Sequence, residues 1–293
     1  MSYTNIIEDI LHYIDNNLAE DLTLNKISEI ANFSPYHFSR IFQWHTGYPL
    51  MTYVRIRRLE FIVSEMHENI NILDLAFKYG FESYSTFTKA FKRQYGMSPE
   101  YYRLNNRPIK PISPKLIQIN TLGGLIMNPK FVSHSEINLF GYQIDTTSLN
   151  GLNFMEIPGF WKSCISDGKL DALHKSEFGI DGSEYGACSS VDVETGEFSY
   201  LIGRLLKEGT EETDDFVKWT LPPATYAVFT TPPSKNLELS TVLKSAWQFI
   251  MNDWFPASGY EYAPNCFDFE LYNYDNKETV CHIYLPVIRK REE

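Results

Sequence analysis

The chain has 293 residues, of which 43% are hydrophobic, so it is long enough to bury more than one core and is expected to form about two domains. It contains no apolar run of about 18 residues and no basic-then-apolar N-terminal segment, so we expect a cytoplasmic protein without a membrane partner. The four cysteines lie far apart in the sequence, at Cys164, Cys188, Cys266 and Cys281. Their spacing is typical neither of metal ligands nor of a disulfide scaffold. We expect buried thiols, no metal and no cofactor.

The charge is distributed unevenly along the chain. The net charge of −11 divides into −1 for residues 1–107 and −10 for residues 108–293, so the acidity belongs to the second part. The cations of the first part include two groups, which are Arg55, Arg57 and Arg58, and Lys89, Lys92 and Arg93. A locally basic face can meet phosphates, so the overall acidity does not exclude double-stranded DNA as a partner.

The first 50 residues predict a helix-turn-helix. In chain order, the pattern indicates an amphipathic helix over 6–18, a short helix over 24–30, a turn at Asn32 and Phe33, and a helix that begins after Ser34 and ends at Gly47. Ser34 is a typical N-cap, and Gly47 is a typical left-handed C-cap. Phe38 and Phe42 lie on the inward stripe of the last helix and are predicted to be core residues.

The same pattern occurs again further along the chain. The offset is 48 residues before the turn and 49 after it, so the second turn is one residue longer. Gly80 takes the place of Asn32, Ser83 that of Ser34, and Gly96 that of Gly47. A helix over 52–67, about 24 Å long, separates the two motifs. The first domain, residues 1–107, is therefore predicted to be an all-α double helix-turn-helix domain.

Outward side chains on the second helix of each motif are the candidates for DNA contact. They are Tyr36, Ser39 and Arg40 in the first motif, and Tyr84, Ser85, Thr86 and Lys89 in the second. Arg40 and Lys89 occupy equivalent positions, which favours DNA contact over ordinary solvated charges. Tyr36 and Tyr84 either pack on the backbone or contact thymine methyl groups. Two such helices about 34 Å apart would let one chain read a full site.

The second motif resembles the AraC/XylS family of transcription regulators, through Gly80-Phe81-Glu82-Ser83, Phe87-Thr88-Lys89-Ala90-Phe91-Lys92, Gly96-Met97-Ser98-Pro99 and Tyr102-Arg103. The resemblance covers about residues 5–105, and the first motif matches more loosely, with Asn32 where the family often has glycine. It implies a DNA-binding transcription regulator, with RNA polymerase as a further partner. The domain arrangement is similar to that of Rob-type activators.

Residues 108–130 are rich in proline and glycine and are predicted to be a linker. Beyond them, residues 131–293 are predicted to form an α+β domain of two strand-helix-strand-strand repeats. The predicted elements are Ile137–Ile144, Gly159–Leu173, Tyr185–Val191 and Phe198–Leu206, followed by Thr225–Thr231, Leu237–Trp254, Phe267–Tyr274 and Val280–Val287. We expect one mixed sheet with helices on one side.

Glu270 stands in an apolar-rich strand, where alternation puts it on the same face as Tyr272. It is either a solvent-facing residue on a half-exposed strand or a carboxylate in a pocket.

The second domain resembles the GyrI-like effector-binding domain, through Ile157-Pro158-Gly159-Phe160-Trp161, Tyr200-Leu201-Ile202-Gly203, Leu221-Pro222-Pro223-Ala224-Thr225-Tyr226-Ala227-Val228-Phe229, Trp254-Phe255-Pro256-Ala257-Ser258-Gly259-Tyr260, Phe269-Glu270-Leu271-Tyr272 and Tyr284-Leu285-Pro286-Val287. The resemblance implies an aromatic pocket with Glu270 as its acid and Trp161, Tyr226 and Tyr272 as its walls. Such a pocket would hold a small organic effector, often a cation, as in multidrug-sensing regulators.

Three functions remain in competition. The first is a DNA-binding regulator, not an enzyme, that a small-molecule effector modulates. The second is a Rob-like DNA binder whose second domain serves a protein partner, which closure of the pocket by bulky side chains would favour. The third is a GyrI-like hydrolase that uses Glu270 and Tyr226. Fusion to a DNA-binding domain favours the first function.

Overall fold

The computed structural model describes residues 3–66, 70–105, 127–180, 182–210, 216–275 and 278–290. The chain divides into two compact units, an N-terminal unit, Thr4–Leu116, and a C-terminal unit, Ile117–Glu293, to which Met1–Tyr3 is assigned. Residues 108–126 of the predicted linker lie outside the described residues.

The described part of the N-terminal unit is helical. Its helices are α1 Tyr3–Asn16, α2 Leu24–Ile30, α3 Pro35–Thr46, α4 Leu50–Glu65, α5 Ile72–Lys78, α6 Tyr84–Tyr95 and α7 Pro99–Asn105. Helices α2 and α3 form the first helix-turn-helix motif, and α5 and α6 form the second. Helix α4 separates the motifs, as predicted, but it begins two residues before the predicted start.

The turns and helix ends have the predicted backbone geometry. Asn32 and Gly80 adopt left-handed conformations, with φ of 63° and 73°. Gly47 and Gly96 end α3 and α6 with φ of 75° and 74°. Glycine and asparagine are the residues that tolerate this region best.

Serine caps begin α3 and α6, the second helix of each motif. The hydroxyl of Ser34 accepts a hydrogen bond from the backbone of His37 at 3.4 Å, and that of Ser83 accepts one from Thr86 at 3.1 Å. Helix α5 ends at Lys78 and α6 begins at Tyr84, so the second turn is one residue longer than the first. Both predictions are confirmed.

The core of each motif is aromatic. Phe38 and Phe42 on α3 and Phe87 and Phe91 on α6 are fully buried. Ring centroids lie 5.9 Å apart in the first pair and 5.6 Å apart in the second. Tyr53 of α4 packs on Phe42 at 5.6 Å, which joins the first motif to the connecting helix.

The basic residues of α4 are used inside the fold. Arg57 forms ion pairs with Asp15 at 2.8 Å and with Glu60 at 2.5 Å, and Arg58 donates to two backbone carbonyls just after α1. The prediction that this group contributes to a basic face for phosphates is therefore wrong for Arg57, whose charge is paired with two carboxylates. The carbonyls that Arg58 contacts are neutral, so they position its guanidinium without cancelling its charge.

The C-terminal unit contains the two predicted repeats, β2-α8-β3-β4 and β6-α10-β8-β9. Its elements are β1 Lys130–His134, β2 Ile137–Thr147, α8 Asn153–Ser166, α9 Lys169–Lys175, β3 Glu184–Cys188, β4 Glu197–Leu205, β5 Val217–Leu221, β6 Ala224–Thr230, α10 Asn236–Phe249, α11 Phe255–Ala257, β7 Tyr260–Tyr262, β8 Asp268–Asp275 and β9 Glu278–Arg289. The helix predicted over Gly159–Leu173 is two helices, because Gly168 between them has a left-handed backbone, with φ of 71°.

The strands form one sheet with the order β1-β6-β9-β8-β3-β4-β2-β5, and β7 pairs with β9. Each strand pair found among the described residues is antiparallel, so the prediction of a mixed sheet is wrong. In each repeat, the helix joins two strands of the same direction. The last strand of the repeat lies between them, β4 between β2 and β3 and β9 between β8 and β6, and it keeps the parallel strands apart.

The two faces of the sheet differ in what covers them. Phe269 lies on one face, in a core cluster built from strand residues. Glu270 lies on the other face, where α8 and α10 pack: Cys164 of α8 is buried against Tyr200, and Trp247 of α10 contacts Glu270. The predicted alternation of this strand and the side taken by α8 and α10 are confirmed.

Candidate functional site

The carboxylate of Glu270 lies near the middle of the sheet, under α10. Its residue pairs with Gly186 of β3 on one side and with Ile283 of β9 on the other. Oε1 accepts a hydrogen bond from Trp247 Nε1 at 2.9 Å, and Oε2 accepts one from the Tyr272 hydroxyl at 2.5 Å. Both donors are neutral, so they orient the carboxylate without cancelling its charge.

A second pair of aromatic residues extends this site. Trp161 of α8 donates from Nε1 to the Tyr200 hydroxyl at 2.9 Å, and its ring lies edge-on against Tyr272 at 5.2 Å. The Tyr200 hydroxyl lies over Gly186: a Cβ at Gly186 would be 2.1 Å from that oxygen. Glycine is therefore required for Tyr200 to occupy this position.

The environment of Glu270 opposes its ionisation. Burial raises the pKa of the carboxyl above that of an ordinary glutamate, hydrogen bonds from Trp247 and Tyr272 partly oppose this, and Asp268 adds to it. Protein atoms surround the carboxylate densely, yet Glu270, Trp161 and Trp247 all keep accessible surface. The residue that carries this acid is therefore half-buried between two half-buried tryptophans, while its carboxyl group is held in a desolvated aromatic environment.

Tyr226 is not part of this site. It lies on β6, fully buried, with its ring edge-on against Phe269 at 5.3 Å. Phe269 and Glu270 are consecutive on β8 and therefore point to opposite faces of the sheet. The prediction that Tyr226 is a pocket wall is wrong, and the hydrolase hypothesis, in which it acts together with Glu270, loses its geometric basis.

Sequence reasoning missed three contributors to the site. Trp247 lies in the helix predicted over Leu237–Trp254 and Tyr200 in a motif of the GyrI-like resemblance, but neither they nor Gly186 are predicted to contribute to the site. The sequence signal for these contributors is a tyrosine, Tyr200, on one strand and a glycine, Gly186, on the neighbouring strand. That the tyrosine lies over the glycine follows only from the register between β3 and β4, in which Gly186 pairs with Ile202.

Helix α6 presents a polar surface. Ser85, Thr86 and Lys89 are exposed. Tyr84 is half-buried, and its ring packs near Phe87 at 5.9 Å. The ring of Tyr84 therefore packs on the core of the motif through one part and keeps another part accessible.

Helix α3 is more enclosed than α6. Tyr36 and Arg40 are half-buried. Ser39 is only 5% exposed, and its hydroxyl donates to the backbone carbonyl of Tyr36 at 2.9 Å. The prediction that Ser39 lies on the outside is wrong, because this short side chain bonds back onto its own helix.

The cysteines are all free thiols. Cys164 and Cys281 are buried, as expected, whereas Cys188 and Cys266 are only half-buried. Within the part of the chain that the structure describes, no group of three or more His, Cys, Asp or Glu residues is placed to hold a metal. No helix among those residues has the length and apolar character needed to cross a membrane.

Comparison with known proteins assigns both halves of the chain. Residues 130–287 match the family described as Integron-associated effector binding protein, and residues 27–105 match the family described as Helix-turn-helix domain. The multiple antibiotic resistance protein MarA of Escherichia coli (strain K12) is 41% identical over 101 residues, which are 34% of this chain and 80% of MarA. The HTH-type transcriptional activator AarP of Providencia stuartii is 36% identical over 104 residues, which are 35% of this chain and 77% of AarP.

A solved structure is also similar to part of this chain. An integron cassette protein of Vibrio cholerae has 19% sequence identity and a TM-score of 0.38, and the match covers 55% of this chain and 95% of that protein. The family matches confirm both resemblances that the sequence motifs indicate. The chain belongs to the AraC-type helix-turn-helix transcription regulators, the group that includes MarA, and it carries a C-terminal domain of the integron-associated, GyrI-like effector-binding family.

Proposed function

We propose that this regulator binds a small organic cation at Glu270, and that binding changes how its helix-turn-helix motifs engage DNA or RNA polymerase. One observation carries the proposal. Glu270 is half-buried as a residue, it lies among aromatic side chains, and the donors to its carboxylate among the described residues, Trp247 and Tyr272, are neutral.

The chemistry of the site favours a positive ligand. A partly desolvated carboxylate without a cationic partner costs free energy, which a bound cation offsets. The rings of Trp161, Tyr272 and Trp247 add favourable cation–π contacts and apolar surface. The alternative, in which the C-terminal unit serves a protein partner, would be favoured by a closed pocket. The accessible surface at Glu270 therefore supports the ligand hypothesis.

For the N-terminal unit, we propose that α3 and α6 enter successive major grooves of one DNA site. The proposed contacts are Tyr36, Arg40, Tyr84, Ser85, Thr86 and Lys89. Helix α4, about 24 Å long, would hold the two recognition helices apart. Ser39 is omitted because its side chain is buried and bonded to Tyr36.

Calorimetric titration with benzyltrimethylammonium and its neutral isostere neopentylbenzene tests the effector proposal. Glu270→Gln keeps size and polarity, and the Tyr272 hydroxyl can turn to accept from the new amide. We expect this variant to lose about 1–3 kcal/mol of cation affinity and much less affinity for the neutral compound.

The pH dependence of cation binding is a second test. Because the pKa of Glu270 is raised, its carboxylate becomes protonated at a higher pH than that of an ordinary glutamate. Acidification should therefore weaken cation binding by the wild type, and this loss should begin at that higher pH.

Glu197→Gln is the matched control, because Glu197 is an exposed acid on β4 of the same unit. It should bind both compounds as the wild type does. Equal losses for the two compounds in Glu270→Gln, or no loss for either, would contradict the proposal and return Glu270 to a structural role.

A further inference from the structure

The guanidinium of Arg58 joins two parts of the N-terminal unit that are distant in sequence. Its Nε donates to the carbonyl of Leu18 at 3.0 Å, and Nη2 donates to the carbonyl of Glu20 at 2.8 Å. The same group covers Gly80: a Cβ there would lie 2.8 Å from Nη1 and 3.0 Å from Cζ. One side chain on α4 thus contacts both the segment before the first motif and the turn of the second.

Gly80 differs in this respect from the corresponding residue of the first motif. Asn32 has the same left-handed backbone, but it is exposed and carries a side chain. At Gly80 the guanidinium occupies the space that any side chain would need. A side chain at this position would have to displace the guanidinium from its hydrogen bonds to Leu18 and Glu20, so Gly80 leaves room for that contact as well as allowing the backbone conformation.

We propose that Arg58 is a positioning residue that sets the placement of α6 relative to α3, and thereby the spacing of the DNA half-sites that the protein accepts. The planar fork of arginine makes two directed hydrogen bonds at once, so it holds the turn at Gly80 at a defined distance from residues 18–20. The inference rests on the proposed reading of one site by both motifs.

The test uses the full chain and a DNA site obtained by selection. Affinity is measured for this site and for versions with one base pair added or removed between the segments that α3 and α6 protect. The wild type should prefer the selected spacing, because half-site spacing follows from protein geometry. Arg58→Ala should reduce that preference at least about fivefold. Arg58→Lys, which keeps the charge but not the fork, should fall between them.

Two glycine variants supply the control. Gly80→Ala and Gly96→Ala meet the same backbone strain, with φ of 73° and 74°, but a Cβ at Gly96 has no atom within 4 Å. Gly80→Ala should therefore shift the spacing preference, whereas Gly96→Ala should leave it unchanged. The Gly80 variant provides this evidence even if Arg58→Ala does not fold.

The outcomes are distinct. A wild type with no spacing preference would refute the proposed two-motif reading, and the inference with it. A wild type with a clear preference that Arg58→Ala and Gly80→Ala both retain would refute the inference alone. An equal shift in Gly96→Ala would show that backbone strain, and not the guanidinium contact, controls the spacing.

Discussion

At the residue scale, Arg40 and Lys89, which are proposed to contact DNA, are equivalent in sequence but not in environment. Lys89 is exposed on α6, whereas Arg40 is half-buried on α3. A lysine with a free path to solvent contacts phosphates as a mobile point charge, whereas a partly enclosed arginine is better placed for directed bonds to a base edge.

We therefore expect different consequences from the two truncations. Arg40→Ala should cost about 1–3 kcal/mol and relax selectivity at one base position, and Lys89→Ala should cost less and weaken binding to all sequences alike. Electrophoretic binding assays on a selected site and on single-base variants measure both effects. Lys26→Ala, which removes an exposed charge on α2 outside the recognition helices, is the control. Unchanged affinity in both test variants would remove Arg40 and Lys89 from the interface.

At the scale of elements, α8 is held to the sheet by polar contacts that include a hydrogen bond from Thr146 of β2 to Glu156 and one from Trp161 to Tyr200. Trp161 donates to Tyr200, and the space that this hydroxyl occupies exists because β3 carries Gly186. The bond fixes the indole beside Tyr272 and therefore shapes the surroundings of Glu270. The Tyr200 hydroxyl thus connects α8 with the sheet and with the surroundings of the Glu270 carboxylate.

A pair of substitutions tests this link. Tyr200→Phe leaves the Trp161 N–H without its acceptor and should lower stability by about 1–3 kcal/mol. Gly186→Ala should be more destabilising in the wild type than in Tyr200→Phe, because its Cβ would lie 2.1 Å from the hydroxyl oxygen but 3.0 Å from Tyr200 Cζ. Urea unfolding of the single and double variants gives both quantities. Equal cost of Gly186→Ala in the two backgrounds would contradict the assignment.

At the scale of the whole molecule, charge separates the two halves of the chain. Residues 1–107 carry −1 and residues 108–293 carry −10, so the acidic part is the one proposed to bind a cation and not the one proposed to meet DNA. Both helices proposed to enter the major grooves belong to a single chain, so under that proposal a second copy is not needed to complete a DNA site.

We predict that residues 1–107 alone fold and bind one DNA site as a monomer. Sedimentation of this fragment with its selected site should show one protein chain for each duplex. Circular dichroism of the free fragment checks that it is folded before binding. A strict requirement for two chains on each site would refute the prediction.

Much of the N-terminal unit was predictable because its signals are local. Caps, left-handed turn residues and apolar stripes act over three or four neighbours, and Ser83, Gly80 and Phe87 have the predicted conformations and burial. In the same way, alternation along one strand is enough to put Glu270 and Tyr272 on one face of the sheet.

The remaining features depend on which segments become neighbours. β4 and β9 lie between the strands that each helix connects, which makes the sheet antiparallel and turns Tyr226 away from Glu270. The register of β3 on β4 puts Gly186 below the Tyr200 hydroxyl, and the packing of α4 puts Arg58 over Gly80. A local sequence pattern predicts on which face of its helix or strand a residue lies. It does not predict which other residues pack against that face, because strand pairing and helix packing minimise the free energy of the whole unit. The sequence by itself therefore determined the two motifs, the two repeats and the acid on its strand, and only the tertiary structure decided the residues that enclose that acid and the arginine that joins the motifs.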